Sequence, residues 1–241
     1  MDVRAALADV GGFGPFFEVG TNPTEQADPT WRPLTDLYSD PVPLRDRIAH
    51  VRRVLDSDDR VAASITFQGM AARVLSAPLA VVVLHGVLPA LTARTLHWRV
   101  SLTGPWPLWV DAPGGEALPD DLGAAADRLA ALLVDEHLRP LAAAVRAQVG
   151  ISERVLWGNA ASSVAAGKRL IGTARPEAAD RAARIAAGVL ARDPFVAAGD
   201  RRAPVPPDVG WTFQRRSCCL YYRVREGGTC CDCVLNLRAG R

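Results

Sequence analysis

All five cysteines of this 241-residue chain lie between residues 218 and 233. They are Cys218, Cys219, Cys230, Cys231 and Cys233. Cysteines that act as small buried apolar residues would be spread along the chain, whereas thiols gathered at one end indicate a local site that needs soft ligands. The sequence therefore predicts a large body with a thiol site at its C-terminal end, and we interpret that site as an iron–sulfur centre.

Three other kinds of thiol site compete with this interpretation. A structural zinc site usually joins two Cys-x-x-Cys-type knuckles, but one arm here is the adjacent pair Cys218-Cys219, so zinc is the second choice. Disulfide staples are typical of small secreted domains, and an odd number of cysteines in a chain of this length does not favour them. A thioredoxin-like motif would follow a strand and begin a helix, whereas Cys230 follows Gly227-Gly228 near the end of the chain.

The spacing of four of these cysteines forms the pattern Cys-Cys, ten residues, Cys, two residues, Cys: Cys218, Cys219, Cys230 and Cys233. It is neither the bacterial nor the plant-type ferredoxin spacing, although it supplies the four thiolates that a [2Fe–2S] centre needs. Together with the flanking residues 215–223 and 233–235, the pattern resembles the signature of the FhuF-type ferric-siderophore reductases. The run Leu156-Trp157-Gly158-Asn159 is similar to that family in a looser way.

The resemblance implies a cofactor, a ligand set and an activity. The cofactor would be a [2Fe–2S] cluster bound by Cys218, Cys219, Cys230 and Cys233, with Cys231 outside the ligand set. The activity would be one-electron reduction of a cytoplasmic ferric siderophore, which we expect to be a hydroxamate, with electrons from an external donor such as a ferredoxin or a flavoprotein. Siderophores hold Fe³⁺ through hard oxygen donors that bind the softer Fe²⁺ far more weakly, so reduction would release the iron.

Two other classes of function stay open. One is an electron-carrier module without a substrate of its own, and a ferric siderophore that neither binds nor speeds reoxidation of the cluster would favour it. The other is a non-enzymatic siderophore- or iron-binding protein with a structural zinc site, which zinc without inorganic sulfide would support. The four histidines are scattered and no phosphate loop is present, so the residues predict no catalytic group beyond the cluster.

Length and composition set the expected architecture. A chain of this length with 49% hydrophobic residues can bury one sizeable core. We expect an α+β, mainly helical fold in three parts: a helical body with a small antiparallel sheet or hairpin over residues 1–198, a proline-rich linker over 199–210, and a C-terminal [2Fe–2S]-binding segment over 211–241.

Local patterns predict the elements of the body. Glycines, prolines and aromatic residues between residues 11 and 33 predict irregular structure wrapped on the core. The expected regular elements are helices at 44–56, 152–172 and 176–192, two helices within 120–148 divided near Pro140, and a hairpin formed by 95–100 and 108–112.

Residues 74–93 carry no formal charge and are long enough to cross a membrane. Pro78, His85, Gly86 and Pro89 disfavour a single span, so we expect two buried core helices that meet near His85-Gly86 and no membrane span. The chain begins without the charged and apolar regions of a secretory signal, which favours a cytoplasmic protein.

The net charge of +2 gives no indication of nucleic-acid binding. Charge is nevertheless uneven, because residues 201–241 hold eight arginines against three acidic residues. This basic end can balance an anionic cluster, steer an anionic partner, or do both. Trp98, Trp106 and Trp109 are either core residues or the wall of a substrate pocket, and large apolar side chains are more often core.

Overall fold

The longest helix, α4 (Asp59–His85), runs through the middle of the computed structural model, which describes residues 2–236. It contacts helices on all sides, and this arrangement confirms the mainly helical α+β fold. Residues 237–241 of the expected C-terminal segment lie outside the described residues. The other helices are α1 (Val3–Gly11), α2 (Leu34–Ser39), α3 (Pro41–Val54), α5 (Leu122–Ala131), α6 (Arg139–Gln148), α7 (Glu153–Ala174) and α8 (Ala179–Leu190).

Helix α4 begins and ends where the sequence provides caps. The Asp58 side chain accepts a hydrogen bond from the Val61 N–H at 3.0 Å, and Gly86 ends the helix in the left-handed conformation with a φ of 63°. The expected helix after Gly86 is wrong, because residues 87–89 form strand β2 (Val87–Pro89). A left-handed glycine turns the chain out of the helix, and the β-branched Val87 favours the extended backbone that follows. Pro78 lies inside α4 without ending it.

Within the described residues, the strands form three small antiparallel sheets. The hairpin expected near Gly104 is confirmed, since β3 (His97–Trp98) pairs with β4 (Leu108–Trp109). Strand β1 (Arg32–Pro33) joins the other edge of β3. The remaining pairs are β2 with β5 (Gly115–Ala117) and β6 (Gly199–Arg202) with β7 (Thr212–Arg215).

Two α-helices lie within residues 120–148 as expected, and α6 begins at Arg139 beside Pro140, but the chain between α5 and α6 stays helical. Between α5 and α6 lies a π-helical segment, Leu132–Leu138, and Pro140 occupies the first turn of α6. Proline cannot donate to the carbonyl four residues earlier, and the wider turns of a π-helix make room for its ring without ending the helix. The chain therefore stays helical from residue 122 to residue 148.

Helix α1 is an element that the sequence patterns did not predict. Its N-terminus is capped by Asp2, whose side chain accepts from the Arg4 N–H at 2.9 Å. Its apolar face packs into the core through residues such as Leu7 and Val10. The irregular structure expected between residues 11 and 33 begins after this helix and contains one short 3-10 helix, Pro23–Ala27.

Among the described residues, α4 is the one helix long and apolar enough to cross a membrane by length and composition. About 72% of its most apolar window is buried inside the protein. A helix that is apolar all round and covered by other helices is typical of the core of a large domain.

The range 199–210 contains more regular structure than its proline content indicates. It begins with strand β6 and includes Asp208, whose buried carboxylate pairs with Lys168 and Arg169 of α7. Strand β7 then leads directly into the cysteines. The division into body, linker and C-terminal segment stays a prediction.

Candidate metal centre

The five thiols lie in an irregular stretch after β7, residues 217–233, which we call the cysteine segment. Cys219 and Cys233 are buried, at 3% and 1% exposure. Cys218 and Cys230 are half-buried, and Cys231 is exposed. The most exposed thiol is therefore the one that the Cys-Cys-x10-Cys-x2-Cys pattern leaves out.

Cys219 and Cys230 form a close pair, with their sulfur atoms 3.8 Å apart. A tetrahedral metal bonded to two thiolates at about 2.3 Å holds them about 3.8 Å apart, so this spacing suits one pair of ligands. Within residues 2–236, no group of three or more His, Cys, Asp or Glu side chains is close enough to hold a single ion. A [2Fe–2S] centre makes a different demand, because its four protein ligands are shared between two irons.

Hydrogen bonds to sulfur distinguish the thiols further. The bond between Cys219 and Cys230 lowers the pKa of Cys219 to about 6 and raises the pKa of Cys230, because one sulfur keeps the shared proton. Burial raises the pKa of the Cys218 thiol. Main-chain N–H groups of Leu220 and Leu235 donate to Cys218 at 3.3 Å and to Cys233 at 3.5 Å. Such donors are among the means by which a protein tunes an iron–sulfur cluster.

A buried polar network fastens the cysteine segment to the helical body. The Ser64 hydroxyl of α4 donates to the Cys219 carbonyl at 2.7 Å. The Asn159 amide of α7 donates to the carbonyl and hydroxyl oxygens of Ser64, each at 2.9 Å, and its own oxygen accepts from Arg215. Residues far apart in the chain thus hold the Cys219 main chain in place from within the core.

Arg215, at the end of β7, is a buried arginine with donors that the protein leaves open. Its side chain is enclosed with 1% of the residue exposed, and its Nε and Nη1 have no acceptor among the described residues. Its charge interacts favourably with the thiolate forms of Cys218 and Cys219. A buried cation with open donors is costly unless an anion lies beside it.

These observations provide a test of whether a [2Fe–2S] cluster fits. The cysteine segment offers soft thiol donors, as such a cluster requires. An oxidised [2Fe–2S] centre with four thiolates carries two negative charges, so it would supply an anion to Arg215, which has no acidic partner among residues 2–236. The residues present therefore fit the cluster in both donor chemistry and charge.

Gly158 explains why the run Leu156–Asn159 belongs with the cysteines. A side chain at Gly158 would overlap the hydroxyl of Ser217, which donates to the Arg154 carbonyl of α7 at 2.7 Å. The glycine lets the start of the cysteine segment lie directly against α7, and the next residue, Asn159, supplies the buried network.

Cys231 is held on the surface by a separate set of charges. Arg169 donates to its sulfur at 3.3 Å and makes two hydrogen bonds to Asp208, at 3.0 and 2.8 Å. These bonds to Asp208, together with the contact with Cys231, outweigh burial and raise the pKa of Arg169. The interaction draws Cys231 towards α7.

Sequence reasoning missed Ser64 as part of the site and named Arg215 and Asn159 only within runs of residues. One signal was present, because uncharged polar side chains inside long apolar helices must find buried partners. Ser64, Asn159 and Ser163 are such residues, and all three are buried and hydrogen-bonded. The presence of a polar residue in an apolar helix does not say which residue it contacts.

A large cavity opens between α3, α4 and the loop that joins β3 to β4. Its volume is about 530 Å³, and its lining is mostly apolar. Trp98 and Trp106 stack with ring centroids 4.8 Å apart and line this cavity while belonging to the core. Trp109 lies elsewhere, against Trp31 and His97.

Two family models match the chain. One, described as a ferric iron reductase FhuF-like transporter, covers residues 102–211. The other, described as a FhuF 2Fe-2S C-terminal domain, covers residues 215–235 and hence all five cysteines. No curated protein matches the chain. The second model indicates a [2Fe–2S] cluster as the cofactor.

Proposed function

We propose that this chain, which belongs to the FhuF-like ferric iron reductase family and has that family's [2Fe–2S] C-terminal domain, reduces a ferric siderophore by one electron. A hydroxamate chelate is the substrate class that we propose, and the cytoplasm is the compartment. Membership in a ferric iron reductase family supports an oxidoreductase, and the siderophore is our extension of it.

The proposed ligands are Cys218, Cys219, Cys230 and Cys233. When bound, the cluster supplies one-electron transfer at a potential that its surroundings set. Two of these thiols are buried and two are half-buried, so the protein would shield one side of the cluster and leave the other near solvent. The more exposed side is where a substrate or an electron donor could approach.

The protein's own residues have three tasks in this proposal. Ser64 and Asn159 fix the Cys219 main chain through buried hydrogen bonds. Arg215 provides positive charge in a site of low dielectric constant, where it favours acceptance of an electron. The substrate Fe³⁺ is held by hard oxygen donors that bind Fe²⁺ more weakly, so one electron is enough to loosen the metal.

The observation that carries the proposal is the buried guanidinium of Arg215, whose charge favours the thiolate forms of Cys218 and Cys219 and two of whose nitrogens have no acceptor within residues 2–236. A structural zinc bound by four thiolates would also be anionic, so metal content has to be measured. Anaerobically purified protein should contain iron and inorganic sulfide in equal amounts and bleach with dithionite. Zinc without sulfide would refute the cluster in this chain.

The activity is tested with a ferrous trap. Chemically reduced protein mixed with a ferric tris-hydroxamate should form the trapped Fe²⁺ complex at a rate proportional to protein concentration. Cluster-free protein should be inactive, and Cys231→Ser should match the unmodified protein because that thiol is outside the proposed ligand set. A rate that is equal with and without the cluster would rule out the reductase. Rapid chemical reduction of the cluster, with no reoxidation by the chelate, would favour an electron carrier.

The excess of arginines at the C-terminal end of the chain favours an electron donor with a negatively charged surface. Arg225 is exposed and has no acidic partner within the described residues, whereas Arg223 pairs with Asp58 at 2.7 Å. We expect an acidic donor protein, whose electron transfer to the cluster slows as salt rises because screening acts beyond about 8–10 Å. Arg225→Gln should reproduce part of this slowing at low salt. Rates that do not depend on salt would assign the arginines to the charge balance of the cluster.

A further inference from the structure

The cavity between α3 and α4 has the volume and lining of a ligand site that the reductase assignment does not explain. Its volume of about 530 Å³ is within the range of small-molecule pockets, about 300–1,000 Å³. Two large apolar residues of its lining, Val54 and Leu102, are exposed at 68% and 78%. Apolar side chains left open around an apolar cavity indicate a ligand with an apolar part.

Arg47 is a charged side chain of the lining whose observed partners are neutral. It stacks over Trp106 and donates to the carbonyls of Ser101 and Gly104, with no carboxylate beside it in the described part of the chain. A guanidinium has five N–H donors, so Arg47 keeps donors for an oxygen atom of a ligand.

The cavity is connected to the cysteine segment through the turn between α3 and α4. Val54 and Leu55 at the end of α3 line the cavity, and Asp58 at the end of the same turn forms the ion pair with Arg223. The main chain of Cys219 is bonded to Ser64, which is two residues from Thr66 of the lining and therefore on the opposite side of α4. A ligand at the mouth near Val54 therefore lies beside the turn whose Asp58 binds Arg223 of the cysteine segment.

We propose that this cavity binds the apolar acyl arm of an amphiphilic ferric chelate, while the iron-bearing head rests at the mouth between the α3–α4 turn and residues 221–223. Arg47, about two helical turns further from the α3–α4 turn than Val54, donates to the carbonyl that joins the arm to the head. This inference rests on the proposed reductase function and adds to it a class of substrate, the acylated hydroxamate siderophore.

Gly69 offers a variant that fills the cavity from within α4. A Cβ at this position meets no atom within 4 Å, so a larger side chain enters open space, and replacing a mid-helix glycine does not weaken the helix. Gly69→Leu should block the acyl arm, and Gly69→Ala is the matched control that leaves most of the volume free. Both proteins should keep the spectrum of the cluster, because the cysteine segment contacts the other side of α4.

The binding experiment uses cluster-loaded protein and gallium(III) complexes of a linear tris-hydroxamate, with and without a decanoyl chain, because gallium is not reduced. Isothermal titration should show at least tenfold tighter binding of the decanoyl complex, since each methylene removed from water strengthens binding about fourfold. Gly69→Leu should abolish this difference and Gly69→Ala should retain it. Arg47→Met should weaken binding of the decanoyl complex by roughly two- to tenfold through loss of one hydrogen bond.

Several outcomes would overturn the inference. Equal affinities for the two complexes, or a decanoyl advantage that survives Gly69→Leu, would show that the arm does not enter the cavity. Decanoic acid that binds as tightly as the decanoyl complex would show a fatty-acid site. The ferrous-trap assay with the unacylated ferric complex and the unmodified protein tests the reductase separately. Binding as expected without any reduction would refute the proposed activity and not the cavity's ligand.

Discussion

Replacing Arg215 by methionine is the sharpest test of the charge argument. Methionine has a similar length and no charge, and the side chain it replaces is enclosed with 1% of the residue exposed. For unit charges about 6 Å apart at an effective dielectric constant of about 20, Coulomb's law gives about 2.8 kcal/mol. This corresponds to about 120 mV for a one-electron couple. We therefore expect Arg215→Met to lower the midpoint potential of the cluster by about 100 mV.

The assay is a redox titration of anaerobic protein, followed through the visible absorbance of the cluster. Arg216→Met is the matched control, because Arg216 is the next residue and its guanidinium pairs with Asp200 on the surface. That variant should shift the potential much less, since an exposed charge is screened by water and salt. A shift in Arg215→Met no larger than in Arg216→Met would refute the assignment of Arg215 as the counter-charge of the cluster.

The cluster-free protein provides a second measurement on the same variant. Without the cluster, the change removes a charge whose Nε and Nη1 have no acceptor in the described part of the chain, and it also leaves the oxygen of Asn159 without its Arg215 donor. Each effect is about 1–3 kcal/mol, and the two oppose each other. The free energy of unfolding of the apo-protein should consequently change little, while the cluster should be lost faster from the variant. Strong destabilisation of the apo-protein would indicate a purely structural arginine.

Three further predictions concern ligation, docking and pH. Serine at any of the four proposed ligands should abolish or severely destabilise the cluster, whereas Cys231→Ser should keep its spectrum, and the reverse result would show that the ligand register is wrong. Gly158→Ala should speed loss of the cluster, because the new methyl group overlaps the Ser217 hydroxyl. Adding Ser217→Ala should restore retention, and a double variant that loses the cluster as fast as Gly158→Ala alone would contradict the docking role. Burial lowers the pKa of His137, so the unfolded chain binds its proton at higher pH than the folded chain. The free energy of unfolding should therefore decrease as the pH falls below about 6.5, by at most about 1.4 kcal/mol per pH unit. The urea midpoint measured against pH should show this decrease, and His137→Gln should flatten it. A variant with the same pH dependence as the unmodified protein would refute this cause.

The sequence could predict features that depend on neighbouring residues. The β3–β4 hairpin and the helix that became α3 follow from local periodicity and turn residues. One expectation failed, and another held only in part, where local signals conflicted. Gly86 was correctly expected to interrupt the apolar run, but Val87–Pro89 became a strand because β5 lies beside it. Pro140 lacks the N–H group that a helix interior requires, yet the π-helical segment before it keeps the chain helical.

The sequence could predict the proposed ligands of the candidate site but not the residues that hold those ligands in place. The cysteine pattern is local, so its spacing alone could indicate the ligands. Ser64 and Cys219 are 155 residues apart, and Asn159 and Arg215 are 56 apart. Spacing along a chain carries no information about such contacts, which depend on how α4 and α7 pack. For the same reason the tryptophans could not be assigned to core or cavity, and the structure assigns Trp98 and Trp106 to both.

Lys168 is the chain's only lysine, and its location gives the protein an internal chemical probe. Its side chain is 2% exposed, its ammonium group donates to the Val209 and Trp211 carbonyls, and it pairs with Asp208 at 2.9 Å. A lysine-specific acylating reagent can therefore reach this amine only when residues 208–211 lift away from α7. The same segment leads through β7 to the cysteines, so the rate of acylation reports how often that connection opens. Mass spectrometry after timed exposure to such a reagent would follow this opening with no engineered label.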